Sequence, residues 1–231
     1  MDAQKSLSLS ECLKIREKYL HQSYRPALKQ IWNQPVYIKS GKMQYVYDEN
    51  DKKYLDLVAG ICTVSCGHSN PRINQVLKNQ AEKLWHCTNI FVHENVHVYA
   101  EKLIKKFPEN SGLKRVFFVN SGSEANDLAL IMAKKFTKRQ ETISLSNSYH
   151  GMTVGVQSLN GLSTWRENVA KIGGHCFVQQ PSKFCKKEYD ESFDNCLKYQ
   201  VGRNCLAGFW IECIQGVGEM LNFMKIAMQN K

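Results

Sequence analysis

Arg115-Val116-Phe117-Phe118-Val119-Asn120-Ser121-Gly122-Ser123-Glu124-Ala125-Asn126-Asp127 is the stretch from which the fold is read. After the leading arginine, Val116 to Val119 are all β-branched or aromatic, which predicts a buried strand. Asn120 to Ser123 supply turn and cap chemistry. From Glu124 the pattern turns helical, with Ala125, Leu128, Ala129, Met132, Ala133 and Phe136 recurring on one face. Strand, tight turn and helix follow one another, so unpaired N–H groups at the helix start face the turn. Such a terminus attracts anions, because those N–H groups lack partners and the helix dipole adds partial positive charge. Ser121-x-x-Glu124 is equally a capping box, the plain alternative for the same residues.

The flanking chain extends the α/β pattern. Upstream, Gln34 to Ile38, Gln44 to Asp48 and Tyr54 to Val58 read as an antiparallel meander with turns at Gly41 and Glu49-Asn50-Asp51. Ser10 to Leu20 forms a short amphipathic arm. Arg72 to Trp85 is a helix capped by Ser69 or Asn70, with Pro71 early and Ile73, Val76, Leu77, Ala81 and Leu84 to bury. A second helix covers about Val96 to Phe107. Downstream, strands are expected at Thr142–Leu145, His175–Val178 and Leu206–Glu212, with a helix near Ser163–Val169 and a polar stretch from Pro181 to Asp194. Strands alternating with helices predict a parallel sheet.

Composition excludes several classes. The 231 residues are 43% hydrophobic and 23% charged, with no apolar run long enough to cross a bilayer. The net charge of +10 is scattered in pairs such as Lys134-Lys135 and Lys186-Lys187, without aromatic stacking platforms. That reads as a solvated basic surface, or as the basic part of a longer chain, and not as a nucleic-acid site. Nine cysteines without a C-x-x-C pair read as reduced thiols, with Cys62, Cys66, Cys87, Cys176, Cys205 and Cys213 in apolar surroundings. No G-x-G-x-x-G follows a strand, which speaks against a dinucleotide-binding domain. His93-Glu94-Asn95-Val96-His97 spells the H-E-x-x-H of zinc hydrolases. The motif belongs mid-helix, whereas the apolar helical pattern here starts only near Val96, so zinc hydrolysis is the remote alternative. Met1 to Ser10 lacks the apolar core of a signal peptide, and no presequence is visible.

Four separated motifs share one resemblance. Tyr54-Leu55-Asp56-Leu57-Val58-Ala59-Gly60-Ile61 with Gly67-His68-Ser69-Asn70-Pro71, then Asn120 to Asn126, Tyr149-His150-Gly151, and Ile211-Glu212-Cys213-Ile214-Gln215-Gly216 occur in the order seen in class III (ω-type) aminotransferases. Asn70 and Cys213 stand where that family usually carries His and Pro. Thr63-Val64-Ser65 through Leu84-Trp85-His86 is similar to the mitochondrial alanine–glyoxylate branch of the family. The resemblance implies an α/β fold, the three-layer α/β/α large domain of fold type I, and pyridoxal 5′-phosphate (PLP) as cofactor. It implies an arm and small meander over 1–58, the first half of the PLP-binding large domain over 59–218, and a divergent tail over 219–231.

The resemblance assigns cofactor binding to Ser121, Gly122, Ser123, Tyr149 and His150. Gly122 and Ser123 offer N–H groups to the phosphate, Tyr149 lays its ring against the pyridine, and His150 hydrogen-bonds structurally. Glu212 is the active-site carboxylate candidate; a satisfied carboxylate at a strand end is its plain alternative. An amino acid such as alanine and an oxo acid such as glyoxylate would be the substrates, and a mitochondrial homo-oligomer the setting, with no nucleic acid and no membrane. The family's catalytic lysine and pyridine-binding Asp lie downstream of the Glu212 motif, and Lys225 and Lys231 come too early to replace that lysine. The family also pairs the strand before the phosphate turn with later strands. The expectation is therefore a large domain incomplete at its C-terminus, with Val116–Val119 left unpaired, and a chain that alone folds poorly or partners another chain and does not transaminate. A non-catalytic PLP-site or dimerisation fragment is the alternative.

Overall fold

The computed structural model describes residues 6–20, 35–166, 174–180 and 186–218. They fall into two compact units, Met1–His97 and Val98–Lys231. Lys225, Lys231, Gln34 and the stretches 167–169 and 181–185 lie outside the described residues.

In the first unit, helix α1 (Leu9–Tyr19) begins at Ser8, which accepts the Glu11 N–H while Glu11 accepts the Ser8 N–H. Strands β1 (Ile38–Lys42), β2 (Tyr45–Asp48) and β3 (Lys53–Leu55) form the antiparallel meander in that spatial order. The first strand starts later than expected, and Gly41 lies in its ladder opposite Val46 instead of turning the chain. Pro35 has no N–H for a ladder. Gly41 lacks a Cβ for another reason, since one there would stand 2.7 Å from the His68 Cβ. The turn falls at Met43, in the left-handed region at φ 51°. Helix α2 (Pro71–Lys83) starts as the sequence predicts, with Asn70 accepting the Arg72 N–H and Pro71 in the first turn. Its apolar positions Ile73, Val76 and Leu77 are nevertheless exposed: the three short strands of this unit do not cover them.

Helix α3 (Glu94–Ile104) leads into the second unit. The core there is a parallel sheet ordered β5 (His175–Val178), β4 (Glu141–Leu145), β6 (Leu206–Trp210). Side chains alternate across β4. Ile143 and Leu145 are fully buried with Val178 and Cys196, against Tyr189 and Phe193 of helix α5 (Lys186–Asn195). Burying an aliphatic side chain of this size is worth about 1.5–3 kcal/mol, so this face is the main apolar contribution to the unit. On the other face Ser144 Oγ donates to the Leu159 carbonyl at 2.7 Å, and Thr142 and Ser144 both meet the His175 ring. The α5 helix occupies part of the stretch read only as polar and charged. The helix expected near Ser163 is a single turn, Ser163–Trp165.

Two expectations about the opening stretch are corrected. Residues 115–119 form no strand, because no other described segment pairs with them and a lone extended run has no ladder. Phe118 stacks instead on Tyr99 of α3 at 5.2 Å. Helix α4 (Gly122–Thr137) forms as predicted but buries a different face. Leu130 is buried, whereas Met132 is 60% and Phe136 90% exposed. The inward face is set by contacts with β6 and with the one-turn helix Val154–Gln157. Among the described residues, no helix is long and apolar enough to cross a membrane.

Candidate cofactor site

The site lies where the carboxyl ends of parallel strands meet the start of α4, the usual place for ligands in open α/β sheets. Ser121 caps α4 by accepting the Glu124 N–H at 3.1 Å. Glu124 reaches back to the N–H of Asn120 at 2.7 Å, one residue ahead of the cap, so the capping box is shifted by one. Among the described residues the N–H groups of Ser121, Gly122 and Ser123 have no protein acceptor. A Cβ built on Gly122 would meet nothing within 4 Å. The end of the helix is therefore open and rich in donors.

After β4, Asn147 turns the chain in the left-handed region and delivers Tyr149, His150 and Gly151 beside that opening. Gly151, at φ 131°, presses on Ser123: a Cβ there would stand 2.6 Å from Ser123 Oγ and 2.9 Å from its Cα. Ser123 Oγ accepts the Met152 N–H at 3.1 Å, which leaves its own hydroxyl proton free to donate. Tyr149 is 40% exposed, its ring edge-on to Trp165 at 4.8 Å. The His150 main chain is held at both ends, its N–H by Asn160 and its carbonyl by Asn126. Its imidazole is buried with Nε2 unpaired, and burial pushes its pKa down to about 4. The ring is thus neutral at neutral pH.

Glu212, just past β6, accepts the Tyr149 N–H at 3.0 Å and the Gly216 N–H at 3.2 Å. It joins the loop after β4 to the turn after β6. No lysine among the described residues is hydrogen-bonded to Glu212, Tyr149, His150 or the α4 turn. Sequence reasoning missed Asn160 and Asn126 at this loop. A buried asparagine between apolar neighbours, as in Leu159-Asn160-Gly161, was the available signal.

The first unit gathers the opening motif into one cluster. Asp56 accepts the N–H groups of Val58 and Ala59, and its Oδ2 lies 2.7 Å from His68 Nε2. The His68 hydrogen bond, then those N–H groups, hold the Asp56 carboxyl below its usual range. His93 and His97 are used locally: His93 Nδ1 accepts the Asn95 N–H, and His97 Nδ1 sits 2.8 Å from the His93 carbonyl. Among the described residues no three His, Cys, Asp or Glu side chains are grouped to hold a metal. The eight described cysteines are all free, and Cys62, Cys66 and Cys213 are exposed, contrary to the apolar surroundings read from the sequence.

A parallel α/β sheet carries, at the carboxyl ends of its strands, an aromatic turn packed on an open, donor-rich helix start. The Aminotransferase class-III family model matches residues 29–226, so the chain belongs to the class-III aminotransferases. It is 36% identical over 199 residues to the mitochondrial alanine–glyoxylate aminotransferase 2 homolog 2 of Arabidopsis thaliana, covering 84% of this chain and 41% of that protein. It is 40% identical over 198 residues to the acetylornithine aminotransferase of Archaeoglobus fulgidus, covering 86% of this chain and 49% of that protein. The omega transaminase of Pseudomonas jessenii, solved with PMP, superposes with a TM-score of 0.78 at 27% identity, over 96% of this chain and 53% of that one. The chain spans about half the length of the relatives it matches. PLP is the cofactor of this family, and the described residues fit part of it: unpaired N–H groups for a phosphate and an accessible aromatic face for a flat ring.

Proposed function

We propose that this chain carries the phosphate-holding and ring-facing half of a PLP site in a transaminase of the alanine–glyoxylate type. The amino group would pass from alanine or a similar donor to glyoxylate or another oxo acid. The observation that carries this reading is the docking of Tyr149–Met152 onto Ser123 and Glu212 beside three unpaired N–H groups. The alanine–glyoxylate assignment, and a mitochondrial setting, rest on relatives of that name. The acetylornithine relative is the alternative for the substrate.

PLP, when bound, supplies an electron sink that stabilises negative charge on the substrate's reacting carbon. The chain's own residues bind and orient. The N–H groups of Ser121, Gly122 and Ser123 and the Ser123 hydroxyl would hold the phosphate, favoured by the α4 dipole. Tyr149 would cover one ring face, and neutral His150 would fill the space beneath without adding charge. Glu212 sets the Tyr149 main chain and leaves proton transfer to a group these residues do not supply. We further propose that 59–218 is the first half of a large domain preceded by an arm and meander over 1–58, and that these residues alone do not transaminate.

The experiment is PLP titration of the purified chain, followed by borohydride reduction and peptide mapping. Saturable binding competed by inorganic phosphate, with no single lysine labelled stoichiometrically, is the expected result. No phosphate-competed binding would overturn the site. One stoichiometrically labelled lysine would overturn the statement that these residues do not transaminate.

A further inference from the structure

Four side chains converge on the main chain of Tyr149 to Met152, and each takes a different polar group. Glu212 accepts the Tyr149 N–H, Asn126 Nδ2 donates to the His150 carbonyl at 2.7 Å, and Ser123 Oγ accepts the Met152 N–H. Asn160 does two things at once: its Oδ1 accepts the His150 N–H at 2.6 Å and its Nδ2 donates to the Gly151 carbonyl at 2.7 Å. Among these four, Asn160 alone binds two consecutive residues, and it is fully buried.

We infer that Asn160 is a positioning residue of the cofactor site, whose amide spans His150 and Gly151, taking the N–H of the first and the carbonyl of the second, and thereby sets Tyr149 and the Ser123 contact. The inference rests on the proposed PLP reading for its ligand, but the clamp itself is a matter of this loop. Glycine in this region of φ has no side chain to restrain it, so the loop needs an outside fixture. A buried amide that accepts the N–H of the Tyr149–His150 peptide and donates to the carbonyl of the Gly151–Met152 peptide brackets the bond between them, with both of its partners desolvated. Glu212 and Asn160 bind successive N–H groups, so Tyr149 is held from both sides of its own Cα.

The test compares the purified chain with Asn160→Asp and Asn160→Ala, labelled with fluorotryptophan. The Trp165 resonance, assigned by its loss in Trp165→Phe, reports the ring of Tyr149 packed against it. Asp keeps the size and the acceptor for His150 but turns a carboxylate on the Gly151 carbonyl. The expected result is a shifted Trp165 resonance in both variants, amide exchange at His150 about tenfold faster in Asn160→Ala, and PLP affinity about tenfold weaker in Asn160→Asp. Lower stability with an unchanged Trp165 resonance and unchanged PLP affinity would mean a merely structural asparagine, and would overturn the inference. If Asn160→Ala does not fold, Asn160→Asp alone decides through the same resonance. If the parent chain does not bind PLP, the cofactor reading falls, and an unmoved Trp165 resonance then removes the clamp as well.

Discussion

Glu212 and Tyr149, 63 positions apart in the sequence, meet through a 3.0 Å hydrogen bond from the Tyr149 N–H to Glu212 Oε2. The other carboxylate oxygen holds the Gly216 N–H. Glutamine has one acceptor oxygen, so Glu212→Gln leaves one of these N–H groups facing an amide donor. The expected loss is about 1 kcal/mol of stability at this half-buried position. Urea unfolding of the two proteins measures it, and equal midpoints and slopes would show that the two loops are tied elsewhere.

Gly151 and Gly122 separate folding from binding. An alanine at 151 must adopt φ 131° with its Cβ 2.6 Å from Ser123 Oγ, so Gly151→Ala should destabilise by about 2 kcal/mol or more. An alanine at 122 enters the first turn of α4 in open space and should leave stability unchanged or raise it by up to about 1 kcal/mol. The same Gly122→Ala places a methyl at the donor-rich opening and should weaken PLP binding. Thermal melts beside PLP titrations check both; a Gly122→Ala chain that binds PLP as well as the parent removes Gly122 from the phosphate site.

His150 makes stability depend on pH. Burial lowers its folded-state pKa to about 4, below the ordinary 6.5. The unfolded chain therefore binds the proton first, and stability rises with pH. The contribution is complete above about pH 6.5 and is lost as pH falls toward 4, amounting to about 3 kcal/mol at most. Urea midpoints at several pH values should slope across this window in the parent chain and flatten there in His150→Gln.

Phe136 is 90% and Met132 60% exposed on the outer face of α4. Met132→Lys with Phe136→Glu should leave unfolding free energy within about 0.5 kcal/mol of the parent and reduce concentration-dependent light scattering. A loss of stability beyond about 1 kcal/mol would mean that this face is covered within the folded chain.

Period and position were legible in the sequence wherever a cap or a strand composition marked them. Asn70-Pro71 placed the start of α2, Ser121 that of α4, and Thr142–Leu145 was read almost to the residue. What the helical period could not say was which stripe faces inward. In α4 the more apolar stripe, with Met132 and Phe136, points outward, because contacts with β6 and with the Val154–Gln157 turn settled the packing. The β-rich composition of Val116–Val119 describes a preference, and a strand also needs a neighbour. The site residues of the resemblance do meet in space at Ser123, Tyr149–Gly151 and Glu212. The asparagines beneath them, at 126 and 160, act through main-chain atoms, and no spacing rule points to such contacts.

The unpaired run at 115–119 bears on how the start of α4 is steered. With no ladder before it among the described residues, the helix end takes its bearing from Ser123 on Met152 and from Gly151 beneath it, and so from β4 and β6. The donor-rich tip of α4 is thus fastened to the aromatic turn through Ser123 and to the preceding segment through the Asn120 N–H on Glu124, so its orientation follows the loops that leave the sheet.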